Sequence, residues 1–188
     1  MSKRPTFFSP QYKALFFSLI IFGVVYIWLN INHESRFDSQ IRQAALKYNV
    51  SPALVKAVIW RESRFKPKAR GSVGEIGLMQ IRELTAQEWC TDNKIKNFDP
   101  RHLFNPQTNI YVGSWYLSKM LKRYNKTDNP LPYALSDYNA GRKNVLRWSE
   151  GSAQTNSSLF LENITYPSTR RYVESVTQRS KHYERNFR

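Results

Sequence analysis

Cysteine is almost missing from this sequence: Cys90 is the only one among 188 residues. No intramolecular disulfide can form and no cysteine-based metal cluster can be built, so Cys90 reads as a buried, inert thiol. Histidine is also scarce, and His33, His102 and His182 stand at no ligand spacing, so neither a metal site nor another cofactor is expected. Acid is short relative to base, with 14 Asp and Glu against 29 Lys and Arg and a net charge of +15. That imbalance argues for a polyanion or anionic surface as partner over a basic protein. By itself it does not choose among nucleic acid, acidic lipid headgroups and an anionic cell-wall polymer. Runs that alternate apolar and polar residues are missing too, as are internal repeats and low-complexity tracts, so the expected fold class is all-α.

What is present begins with a long apolar run. Residues 14–32 contain no charge, and Ala14 to Leu29 is almost wholly apolar. As a helix, roughly 18 such residues reach about 27 Å, close to the hydrocarbon thickness of a bilayer. No small-x-small cleavage site follows Leu29, which favours an uncut anchor over a cleaved signal. Lys3, Arg4 and Lys13 precede the run with no acid among residues 1–13, so the expected topology is a cytoplasmic N-terminus and an external remainder. Tyr26 and Trp28 are expected at the outer interface. The chain therefore divides into a basic N-terminus (1–13), a transmembrane signal-anchor (14–32) and one helical domain (33–188).

Within that domain, Asp38-Ser39-Gln40-Ile41 opens a helix with apolar positions at Ile41, Ala44, Ala45 and Tyr48, and Asn49 stops it. A second helix follows at once, with Ser51 as N-cap, Pro52 at its first position, and Leu54, Val55, Val58 and Ile59 on one buried face. It runs from Ser51 to Glu62, the pattern breaking at Pro67, which leaves Glu62 near a helix C-terminus, where the dipole opposes the ionised form, beside a loop holding Gly71, Gly74 and Gly77. Residues 66–83 are the longest irregular stretch and read as a binding loop. A short helix is expected around Thr85–Trp89, then a connection over Asp92–Pro106. Thr108–Gly113 leads into a helix through Tyr124, with Val112, Tyr116, Met120 and Tyr124 sharing a face and Gly113 marking close helix packing. Leu131–Asn139 and Lys143–Trp148 are expected helices around a break at Gly141. A polar loop at Gly151–Ser158 precedes a basic last helix from about Ser168 to Tyr183.

Five segments in this order resemble the lytic transglycosylases of the soluble-lytic-transglycosylase catalytic type, whose fold is goose-lysozyme-like. They are Glu62-Ser63-Arg64-Phe65 with Pro67 and Ala69; Val73-Gly74 with Gly77-Leu78-Met79-Gln80-Ile81 and Thr85-Ala86; Asn105-Pro106 through Asn109-Ile110, Gly113 and Tyr116-Leu117; Tyr138-Asn139-Ala140-Gly141; and Glu162-Asn163-Ile164 with Thr169-Arg170 and Tyr172-Val173. The resemblance covers roughly residues 44–183. It implies a cleft for the glycan strands of peptidoglycan, with Glu62 as the single catalytic acid and then base. It implies cleavage between N-acetylmuramic acid and N-acetylglucosamine that leaves a 1,6-anhydro end and consumes no water. It further implies that Met79 and Tyr138 wall the acid, that Gln80 and Asn139 bind sugar groups, and that Glu162 is a cleft residue. The sequence departs from the family pattern at Gly71, where a cleft-lining serine is usual, at Glu75, where a small residue is usual, and at Ser168, where an acid is usual; Glu75 thus brings a second charge to the loop.

The last stretch, residues 170–188, interleaves Arg170, Arg171, Arg179, Lys181, Arg185 and Arg188 with Tyr172, Tyr183 and Phe187. Such a pattern also suits nucleic acid, but the expected topology places it outside the cytoplasm, where wall polymers and lipid headgroups are the available polyanions. No nucleic-acid partner is therefore expected. Expected partners are peptidoglycan, the membrane through residues 14–32 and, from the architecture, an envelope-spanning secretion or conjugation machine. The expected location is the bacterial inner membrane, single-pass, with the catalytic domain periplasmic or extracytoplasmic. A lysozyme-type hydrolase and a non-catalytic wall-binding module remain open as alternatives.

Overall fold

The computed structural model describes residues 10–186, with the side chains of 10–13, 26–32 and 186 outside the description. The first unit holds helix α1 (Pro10–Ser35), 26 residues long, whose apolar side chains from Leu15 to Val25 are exposed. Among the described residues no helix is long and apolar enough to cross a membrane. The side chains of Lys3, Arg4, Lys13, Tyr26 and Trp28, on which the expected topology and interface depend, lie outside the described residues.

The second unit, from Phe37 onward, is helical throughout among the described residues, with only two isolated bridges (Arg70 with Ile76, Ile76 with Ile81) in place of a sheet. Its helices are α2 (Asp38–Tyr48), α3 (Pro52–Ser63), α4 (Glu83–Asp92), α5 (Pro106–Arg123), α6 (Pro130–Ala140), α7 (Arg142–Trp148), α8 (Ser157–Asn163) and α9 (Pro167–Asn186). Short 3-10 turns occupy Pro100–Phe104 and Gly151–Gln154.

Helix α3 is the axis of this unit. Ser51 caps it, its hydroxyl accepting the Leu54 N–H at 3.3 Å. The sequence suggests one buried face, but every residue from Ala53 to Ile59 is buried. That burial includes Lys56, whose ammonium lies 2.6 Å from Asp38 of α2 and sits over the Tyr183 ring of α9. Alpha-helical patterning cannot announce such burial, because α2, α5 and α9 surround α3 and the one charge in that buried stretch is paired. The end falls within one residue of the expected stop at Glu62: α3 closes at Ser63, where Arg64 and Phe65 both take left-handed backbone (φ 51 and 59). The Phe65 side chain, fully buried, anchors that costly turn.

Elsewhere the expected elements keep their order with shifted bounds, and one helix outside that expectation, α8, is added before the last. Helix α5 is continuous through Gly113, and what approaches that glycine is a loop residue: a Cβ there would lie 2.3 Å from the Met79 sulfur. The expected close helix packing is thus a loop thioether against a helix. The polar stretch read as loop up to Ser158 contains the start of α8, capped by the Asn156 side chain, which accepts from Ser158 and Leu159 N–H. Seven residues are too few to show a helical period. A smaller core gathers α6, α7 and α8 around Tyr133 stacked on Phe160 at 4.0 Å, with Trp148 beside them.

Candidate active site

A cavity of about 500 Å³ opens between the C-terminus of α3, the loop 66–82, the start of α4, α5 and the C-terminus of α6. Glu62, Glu75, Gln80, Tyr116, Tyr138 and Asn139 are among its lining residues. The loop owes its shape to backbone pairing across the two bridges, with Ile76 and Ile81 exchanging N–H to carbonyl bonds at 3.0 and 2.9 Å. It is fastened from below by Asn109 of α5, fully buried, whose side chain accepts the Met79 N–H at 2.8 Å and donates to the carbonyls of Ile76 and Leu103. Gly77 makes this close approach possible: it has φ +80, and a Cβ on it would come 2.3 Å from the Asn109 amide nitrogen. Replacing Asn109 with Ala strands three buried backbone groups, and the expected loss of stability in urea unfolding is about 3 kcal/mol.

At the head of the site, Tyr172 of α9 donates its phenol hydrogen to Glu62 Oε1 at 2.6 Å. The Arg61 guanidinium stands 5.3 Å from the Tyr172 ring centre. Burial pushes the Glu62 carboxyl up to about 7; the Tyr172 hydrogen bond and Arg61 pull it down, and the charge of Glu75 pushes it further up. Desolvation, rather than the helix dipole alone, is thus the physical source of an acid that keeps its proton near neutrality. Tyr138 and Tyr172 are pushed well above the ordinary phenol range, first by burial and next by Glu62, so both remain neutral hydrogen-bond donors. Changing Tyr172 to Phe removes one charge-assisted hydrogen bond: kcat/KM is expected to fall about tenfold, and the alkaline limb of the pH profile to move upward.

Four of the residues singled out from sequence meet here. Tyr138 donates to the Met79 carbonyl at 2.8 Å, which sets its ring against the loop and 5.4 Å from the Tyr116 ring. Asn139 accepts from the Thr169 hydroxyl at 2.9 Å, leaving its amide nitrogen as the group to donate. Gln80, held in left-handed backbone (φ 49), donates its Nε2 to the Gly77 carbonyl at 2.9 Å.

Met79 and Glu162 fall elsewhere. Met79 is fully buried behind the wall, its thioether against Gly113, and supports Tyr138 through its carbonyl rather than facing the cavity. Glu162 is exposed and outside the cavity lining. Phe160 points into the smaller core, and two residues further on a helix turns about 200°, which sends Glu162 to solvent. Sequence reasoning passed over Tyr172, Tyr116, Thr169 and Asn109 as site residues. Tyr172 is separated from Glu62 by 110 positions and lies in a helix that reads as basic surface; its local signal, the Tyr172-Val173 pair of the family pattern, says nothing of a contact with Glu62.

A profile of the transglycosylase SLT domain family matches residues 31–161. The soluble lytic murein transglycosylase of Salmonella typhimurium is 31% identical over 156 residues, covering 80% of this chain and 24% of the relative. Membrane-bound lytic murein transglycosylase C of Shigella sonnei is 32% identical over 168 residues, covering 80% and 47%. Among solved structures, an inactive mutant of lytic transglycosylase Slt from Pseudomonas aeruginosa superposes with a TM-score of 0.75 at 26% identity, over 84% of this chain and 25% of that one. The 70-kDa soluble lytic transglycosylase of Escherichia coli gives 0.72 at 27%, over 80% and 24%. The chain thus spans about a quarter of the length of the soluble relatives it matches.

Proposed function

The chain belongs to the transglycosylase SLT domain family, and from that premise we propose that it is a lytic transglycosylase that cuts the glycan strand of peptidoglycan with Glu62. The observation that carries this reading is the half-enclosed Glu62 carboxyl, raised to about 7 and held by Tyr172 at 2.6 Å at the head of a sugar-sized cavity. Glu62 protonates the oxygen between N-acetylmuramic acid and N-acetylglucosamine as that bond breaks. The resulting carboxylate then takes the proton of the muramic C6 hydroxyl as its oxygen closes the 1,6-anhydro ring. Tyr172 steadies the carboxylate between the two steps, and the acetamido group of the sugar answers the positive charge that a nucleophilic carboxylate answers in other glycosidases. Gln80 and Asn139 supply amides that bind sugar, and Tyr138 walls the acid. Met79 serves by holding Tyr138, and an exposed Glu162 contributes outside the enclosed cavity.

Residues 14–32 anchor the protein in the inner membrane, with residues 33–188 on the external side. What supports this is the uncharged run itself, the basic flank at Lys3, Arg4 and Lys13, and the exposed apolar side chains from Leu15 to Val25. A small anchored enzyme of this kind suits local wall opening for an envelope-spanning secretion or conjugation machine. The test is a digest of purified peptidoglycan by the detergent-solubilised chain, read by mass spectrometry. Muropeptides with anhydro ends are expected, and intact glycan after treatment with correctly folded protein would remove the reading.

A further inference from the structure

The loop between α3 and α4 carries a carboxylate that the chemistry above leaves idle. Glu75 lines the same cavity as Glu62, and a glycine sets its position. A Cβ on Gly71 would stand 2.1 Å from Glu75 Oε2, closer than any side chain tolerates, so the glutamate occupies space that a residue other than glycine would fill. The Gly71 N–H donates to the Glu75 carbonyl at 2.8 Å, bending the loop back on itself, and the Val73 N–H donates to Glu75 Oε2 at 3.2 Å. The same Cβ position lies 2.9 Å from Gln80 Oε1. Because the Gln80 nitrogen is committed to the Gly77 carbonyl, it is the acceptor end of that amide that faces residue 71. A carboxylate oxygen and an amide oxygen therefore converge on one place, and two acceptors are satisfied together by a molecule with two hydrogens to give.

We propose that Glu75 and Gln80 hold and activate water, and that this chain cleaves part of its glycan substrate by hydrolysis with Glu75 as general base. The proposal rests on Glu62 being the acid. As the bond between the anomeric carbon of N-acetylmuramic acid and the glycosidic oxygen breaks, Glu62 gives its proton to that oxygen. The water oxygen bonds to the anomeric carbon, one of its hydrogens passes to the Glu75 carboxylate, and the other stays on the new anomeric hydroxyl. One water is consumed and a reducing end results; exchange with solvent returns the proton to Glu62 and removes it from Glu75. Hydrolysis by a protonated acid and a separate base with a water between them is an established arrangement for glycosidases. Glu62 and Glu75 line one cavity, together with Gln80.

The experiment is a peptidoglycan digest by the full chain in ¹⁸O-water, with mass spectrometry of labelled reducing ends and anhydro ends. Both products are expected. In Glu75→Gln the ratio of labelled to anhydro ends is expected to fall about a hundredfold, the scale of one general base. In Gly71→Ser the added Cβ evicts the carboxylate, and the same ratio is expected to fall. Since the ratio is taken within one digest, it does not depend on how much of a variant is folded. Anhydro ends alone from the unaltered chain, an unchanged ratio in Glu75→Gln, or loss of both products together in that variant would each overturn this assignment while leaving Glu62 in place. Absence of any cleavage by the unaltered chain would overturn the transglycosylase reading and this one with it.

Discussion

Glu62→Gln is expected to lower peptidoglycan cleavage by at least about 10⁴-fold, since the amide can neither give the first proton nor take the second. The substitution keeps the shape of the side chain and can still accept from the Tyr172 phenol, which stands 2.6 Å from Glu62 Oε1. The loss should therefore appear in kcat with little change in KM, because Gln80 and Asn139, the proposed sugar-binding amides, are untouched. Product release from a defined muropeptide, followed by chromatography, measures it. Residual activity within tenfold of the unaltered enzyme would place the acid elsewhere.

The second large effect is on stability, and it runs opposite to the usual behaviour of a carboxylate. The Glu62 carboxyl ionises near 4.5 in an unfolded chain and near 7 in the folded one. Between those values the unfolded chain has lost this proton and the folded chain has kept it, so folding takes up a proton and stability falls as pH rises. The contribution is fully present below about pH 4.5 and is lost as pH passes through about 7. At about 1.4 kcal/mol per pH unit the total is at most about 3 kcal/mol. Glu62→Gln removes that dependence, because a neutral amide has nothing to ionise. Urea unfolding of both proteins across the range should give curves whose difference widens from pH 4.5 to 7 and then levels off, with the inactive variant the more stable above 7. A difference that stays flat would mean the carboxyl is not buried as described. The rate follows the same group: kcat/KM is expected to fall about tenfold per unit above pH 7 as the acid form is depleted.

How much of this could be read in the sequence depends on the distance over which each signal acts. The cap at Ser51, the break at Gly141 and the order of the helices rest on neighbours in the chain, and they were legible. Glu62, Gln80, Tyr138 and Asn139 carry recognisable local company and also meet in space. Tyr172 was not legible as a partner of Glu62, since its role exists only when α9 packs on α3. Met79 and Glu162 show the converse: a residue in the right motif can be turned to the interior or to solvent by the packing of its own element. Gly71 and Glu75 appeared as two separate departures from a family pattern, and only the coordinates join them into one exchange, in which the second residue fills the place vacated by the first.

The hydrogen bond from Tyr172 to Glu62 also bears on when the site is assembled. A ribosome makes the acid 110 residues before the phenol, a gap of several seconds or more at ordinary rates of synthesis. Until α9 has emerged and packed along α3, Glu62 lacks the hydrogen-bond partner that α9 carries. A chain in which α9 has not yet packed therefore lacks the phenol that holds Glu62 Oε1. The proposed acid is thus held in place only once α9 has docked on α3.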